Sequence, residues 1–82
     1  MSWERLKSAS KRTIGTKQTY KAVTRGQAKL VYIARDAEKH VVKDLIEKCN
    51  QQGIEIIYVD SMRELGKTCG IEVGAAAAAV LE

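Results

Sequence analysis

Two short apolar runs, 30–34 (Leu-Val-Tyr-Ile-Ala) and 54–59 (Ile-Glu-Ile-Ile-Tyr-Val), constrain this chain more than any other feature. Both are rich in strand-favouring side chains, and 54–59 is expected to be a buried strand, too apolar for a sheet wet on one face. Between them, over 37–52, Val41, Val42, Leu45, Ile46 and Cys49 fall on one face of a helix. Glu38, Lys39, Lys43, Asp44, Glu47 and Lys48 fall on the other; Asp36 can cap the start and Gly53 stops the end. A strand, an amphipathic helix and a strand in that order bury their apolar faces by a helical crossover, which sets the two strands parallel.

Around this unit the pattern continues. Residues 3–10 read as a short helix with Trp3, Leu6 and Ala9 or Ser10 on one side, and 11–14 as a brief extended piece. Gly15 interrupts, a helix resumes over 16–25 with Tyr20, Ala22 and Val23 inward, and Gly26 ends it. Ser61-Met62-Arg63-Glu64 has capping-box spacing and opens a helix running to about Thr68. Gly66 inside it costs about 1 kcal/mol against alanine, and Gly70 suits its terminus. The five alanines at 75–79 favour helix locally, but the alternation of strand and helix asks for a third strand there. The expected fold is α/β, a three-layer α/β/α sandwich with a small mixed, largely parallel central sheet. With no proline, no Gly/Ser-rich linker and no long repeat, residues 1–82 are expected to form one domain.

A domain this small buries only about 60–65% of the surface of its unfolded chain. Phe is absent, so the interior is built from Val, Ile, Leu and Ala, and a deep catalytic pocket is hard to carve from it. His40, the only histidine, sits on the polar side of its helix among Glu38, Lys39, Lys43 and Asp44. No catalytic triad order, zinc-protease motif, P-loop or metal-ligand spacing is present, and neither a metal nor a cofactor is expected. Cys49 and Cys69 lack CxxC spacing and read as reduced apolar fillers; a thiol enzyme using Cys69 near a helix end is the weaker rival. No apolar run reaches the roughly 18 residues of a membrane span. Met1-Ser2-Trp3-Glu4 shows no charged-then-apolar leader, so a cytoplasmic protein is expected.

Charge is distributed unevenly. Residues 1–29 carry eight basic side chains against Glu4 alone, a net of +7, whereas 30–82 carry six basic and nine acidic, a net of −3. One compact domain split this way is expected to show a positive face suited to a phosphate backbone; the competing reading is a solvated surface without a partner.

Two segments could use that face. At Gly15-Thr16-Lys17-Gln18 a glycine permits close approach, a helix start offers unpaired N–H groups, and Lys17 and Gln18 can reach base edges; Lys21 follows one turn on. An ordinary glycine-started surface helix is the plainer explanation. At 65–74 three glycines surround Ile71-Glu72-Val73, an apolar tip of the kind that covers unstacked bases, unless Ile71 and Val73 fold into the core.

Leu-Gly-Lys-x-Cys-Gly-Ile-Glu-Val-Gly-Ala-Ala-Ala at 65–77, with Gly-Thr-Lys-Gln-Thr at 15–19 and Val-Thr-Arg-Gly at 23–26, closely resembles the L7Ae family of ribosomal proteins, and within it the short bacterial members. The resemblance spans essentially the whole chain. It implies a three-layer α/β/α fold with the alanine run as a sheet strand, no enzymatic activity, and as ligand a kink-turn RNA, a helix–bulge–helix element bent beside sheared G·A pairs. By position, Gly15, Thr16, Lys17, Gln18 and Lys21 inherit the contact with the groove at those pairs, and Ile71, Glu72 and Val73 the cover over the bulged nucleotides. Many archaeal and eukaryotic members carry asparagine and glutamate where this chain has Lys17 and Gln18. An amide offers an acceptor and two donors where a carboxylate only accepts, so the exchange is expected either to weaken guanine recognition or to shift it onto Lys17. The expected protein is a monomer that stabilises kinked RNA, whether ribosomal RNA, with the ribosome as partner, or a riboswitch. The alternative is a protein-interaction module of the same fold, with an exposed patch over 61–74.

Overall fold

The computed structural model describes residues 2–81, with side chains from Arg5 onward; the inward placement of Trp3 lies outside the described residues. The chain runs α1 (Ser2–Ser8), β1 (Arg12–Ile14), α2 (Thr16–Thr24), β2 (Leu30–Ala34), α3 (Lys39–Gln52), β3 (Ile56–Val59), α4 (Met62–Thr68) and β4 (Ala77–Val80). The strands form one mixed sheet in the order β1-β4-β2-β3. Helices α2 and α3 pack together on one face, and α1 and α4 on the other, giving the three expected layers.

The strand–helix–strand unit is as the sequence predicts: β2 and β3 are parallel, with Val31 opposite Ile56 and Ala34 opposite Val59. The rest of the sheet corrects the expectation of largely parallel strands, because β4 is antiparallel to both β1 and β2, with Ala77 opposite Ile33. The reason lies in the connection. Helix α4 rises only about 10 Å, and the chain then doubles back along it, so that Ala75 N–H donates to the Met62 carbonyl at the start of that helix (3.0 Å). Outward and return paths cancel, and the chain enters β4 at the end of the sheet where it left β3.

The alanine run is strand because its place in the sheet overrides local propensity. Ala77, Ala78, Ala79 and Val80 are buried, flanked by strands on both sides and by helices on both faces. Methyl-sized side chains let those helices approach closely. Tyr32, Leu6, Ile33, Leu45 and Leu65 are the largest fully buried side chains, each large apolar side chain contributing about 1.5–3 kcal/mol by leaving water.

Three local expectations change. Strand β3 is a sheet edge, so Ile56 and Ile57 are half-buried and Tyr58 is exposed, its ring under the Arg35 guanidinium at 5.6 Å. On α3, Val42, Leu45 and Cys49 are buried while Val41 faces out. Asp36 does not cap α3, which starts at Glu38 without a side-chain cap. Its carboxylate accepts instead from the Met62 N–H (2.8 Å) and serves α4, where Ser61 Oγ also accepts from the Glu64 N–H (3.1 Å). Both cysteines are free and buried, and burial pushes both thiols up from their ordinary values; at Cys69 the nearby Arg12 opposes that shift.

Candidate nucleic-acid interface

Strand β1 delivers Gly15 to the start of α2 with φ 98° and ψ 153°, a backbone conformation essentially reserved for glycine. A side chain there would meet nothing within 4 Å, so glycine is required by the backbone and leaves open space above it. The Gly15 N–H donates to the Ala77 carbonyl (2.8 Å) and its carbonyl accepts from the Thr19 N–H (3.1 Å). No side chain caps α2 and no acidic residue occupies its first turn. The first-turn N–H groups are therefore left to solvent or a ligand, at the positive end of the helix dipole.

Lys17, Gln18 and Lys21 are exposed and Thr16 is half-buried, its hydroxyl oxygen enclosed without a hydrogen-bond partner. The inward face of α2 is Thr19, Ala22 and Val23. Thr19 replaces the expected Tyr20 because its hydroxyl is satisfied by Thr13 Oγ1 across the β1–α2 corner (2.8 Å). Tyr20 instead stands partly exposed beside Lys17 and Lys21, on the wall of a cleft of about 600 Å³ whose other side is Val41, Asp44 and Leu45 of α3. The spacing 19, 22, 23 was the available signal for this rotation of the helix.

The second segment sits against α4. Ile71 N–H donates to the Gly66 carbonyl (3.0 Å), and Ile71 packs partly on the core. Glu72 and Val73 are exposed, Val73 at 71% of its surface. The Ile-Glu-Val tip is thus divided: one apolar side chain anchors the loop and the other projects. Gly66 makes this possible, since a Cβ on it would collide with the Val73 carbonyl oxygen.

The two segments share one end of the sheet. Gly15 is hydrogen-bonded to Ala77, the first residue of β4. Val73 is four residues upstream of Ala77, so their Cα atoms lie within about 14 Å of one another by chain reach alone. A basic helix start and an apolar-tipped loop therefore flank the same strand end.

Other chemistry is sparse. The His40 ring, 76% exposed, has Glu38 at 3.7 Å. Among the described residues no group of three or more His, Cys, Asp or Glu could hold a metal ion, and no helix is long and apolar enough to cross a membrane.

Comparison with known proteins places the fold and the family of the chain. An RNA-binding protein of Caldanaerobacter subterraneus subsp. tengcongensis is 58% identical over 69 residues, covering 84% of each chain. The RNA-binding protein YbxF of Geobacillus stearothermophilus is 43% identical over 81 residues, covering 99% of each. Among solved structures, the 15.5 kD RNA-binding protein of Giardia lamblia superposes with a TM-score of 0.88 at 28% identity, over 99% of this chain and 71% of its own. A Bacillus halodurans protein described as of unknown function reaches 0.84 at 30% identity, over 98% of this chain and 84% of its own. The family model for the ribosomal protein L7Ae/L30e/S12e/Gadd45 family matches residues 2–82, and the chain belongs to that family.

Proposed function

We propose that this is a non-catalytic RNA-binding protein that recognises kink-turn motifs in structured RNA and stabilises their bent form. The observation that carries the reading is the Gly15 N–H to Ala77 carbonyl bond, which ties a bare, acid-free helix start to the strand fed by the 71–76 loop. In this reading the cationic first third of the chain attracts the duplex, and the open face of Gly15 admits the RNA backbone. Lys17 and Gln18 address the G·A step, Lys21 neutralises a phosphate, and Val73 with Glu72 covers the bulged nucleotides, held by Ile71. Thr16 contributes its N–H at the helix start. Bent RNA gains only by the difference in the protein's affinity for bent and open forms. The proposal takes the protein to be a cytoplasmic monomer acting without a cofactor, on ribosomal RNA or a riboswitch. Relatives named as RNA-binding proteins along nearly the whole chain support it.

The protein-interaction alternative requires an exposed patch over 61–74. There Leu65 and Cys69 are buried and Met62 and Ile71 half-buried, leaving Val73 as the exposed large apolar side chain. A gel-shift titration with kink-turn RNA beside a version whose G·A pairs are made Watson–Crick separates the two. The RNA reading expects a salt-dependent shift that is much tighter for the kink-turn. Equal affinity for both RNAs refutes it, and no shift at all favours the interaction module.

A further inference from the structure

We propose that Arg12 is a positioning residue that holds the 70–74 loop in register with the Gly15 helix start, by closing two helix C-termini with one guanidinium. This inference rests on the RNA reading for its consequence, though not for its geometry. Arg12 lies on β1, three residues before Gly15. Its neighbour Thr13 turns to the α2 face, where it meets Thr19, so alternation along the strand sends Arg12 to the face of α1 and α4. There Nη1 donates to the Leu6 carbonyl (3.1 Å) and Nη2 to the Cys69 carbonyl (3.0 Å).

Both acceptors belong to helix ends. Leu6 is in the last turn of α1, and Cys69 is the C-cap of α4, immediately before the loop. The last carbonyls of a helix lack intrahelical donors and sit at the negative end of its dipole. A planar guanidinium presents its donors in a fixed fork, which suits two carbonyls at once; an ammonium is a single point. The strand that leads to one proposed RNA-contacting segment therefore also grips the root of the other. Beyond Cys69 the loop is secured by Ile71 N–H on the Gly66 carbonyl and by Ala75 N–H on the Met62 carbonyl, at 3.0 Å each. Arg12 counts among the eight basic residues of the first third, but its charge is committed internally rather than offered to phosphate.

Arg12→Met, which keeps an apolar stem, and Arg12→Lys, which keeps the charge, are compared with the parent protein. Without RNA, Arg12→Met is expected to speed amide exchange at Ile71 and Ala75 about tenfold more than at Gly15 and Thr19, with Arg12→Lys intermediate. A uniform rise at all four amides, the mark of general destabilisation, overturns the proposal, and so does no change. With kink-turn RNA, Arg12→Met is expected to bind about tenfold more weakly, the slope of affinity against salt staying unchanged. A slope reduced by about one contact identifies Arg12 as a phosphate ligand and also overturns it. If the parent protein does not prefer kink-turn RNA, the RNA reading fails, while the exchange pattern still decides whether Arg12 anchors the loop. Should Arg12→Met not fold, Arg12→Lys carries both measurements.

Discussion

Replacing Gly66 by alanine sets two effects of known size against each other. In a helix interior alanine is favoured over glycine by about 1 kcal/mol, so in an isolated α4 the change would stabilise. In the folded protein the new Cβ meets the Val73 carbonyl oxygen and lies 3.1 Å from both Gly74 Cα and the Val73 carbonyl carbon. These are backbone atoms, not the free end of a side chain, so relief requires the loop to move. Overpacking of this kind costs about 1–3 kcal/mol, which leaves a net loss centred near 1 kcal/mol and a fall in Tm of about 4–8 °C for a domain this size. Displacement of the loop carries Val73 off its position, so affinity for kink-turn RNA is expected to fall by more than the stability loss alone would cause. Thermal unfolding followed by circular dichroism, with a gel-shift titration well below the Tm, measures both. A raised Tm with unchanged affinity would show that the loop is not seated on Gly66, and the reasoning would fail.

Four other outcomes are expected. Lys17→Ala combined with Gln18→Ala abolishes selectivity for a kink-turn over a plain duplex, and retained selectivity in the same titration refutes the assignment; Lys21→Ala lowers the salt slope by about one phosphate contact instead. Ser61→Ala removes the acceptor for the Glu64 N–H and lowers stability by about 1 kcal/mol, read by denaturant titration as a shifted midpoint with unchanged slope. Cys49 and Cys69 are both raised by burial. The unfolded chain therefore loses thiol protons first, so their contribution is full below about pH 8.5 and is lost as pH rises through the higher folded values. Cys49→Ala with Cys69→Ala should flatten stability over that alkaline range, and an unchanged pH profile contradicts it.

Elements set by local periodicity and spacing were legible in the sequence: β2, the core face of α3 apart from Val41, and the serine cap of α4. What escaped it depends on neighbours distant along the chain. The direction of β4 follows from the return path along α4, which no spacing encodes. The strand state of 77–80 did not escape it: the alternation of strand and helix and the family resemblance both call for a strand there, against a local preference for helix, and partners on both sides hold it. The helical pattern over 16–25 puts Tyr20 inward with Ala22 and Val23, yet the small hydroxyl of Thr19 is buried because Thr13 satisfies it. Gly66 read as a cost to α4, and its use emerges only where Val73 crosses it. Both glycine-marked segments were visible as motifs, but Arg12 was hidden among the basic residues around it.

The central claim is that residues 15–18 and 71–73 act as one RNA-binding face. It is tested most directly by titrating isotope-labelled protein with kink-turn RNA and following every backbone amide by NMR. The account predicts that the amides of 15–18, 21 and 71–73 shift together and saturate at one equivalent, while those along the outer face of α3, around His40 and Glu47, stay in place. Shifts confined to one of the two segments, or centred on α3 and the β3 edge, would contradict it.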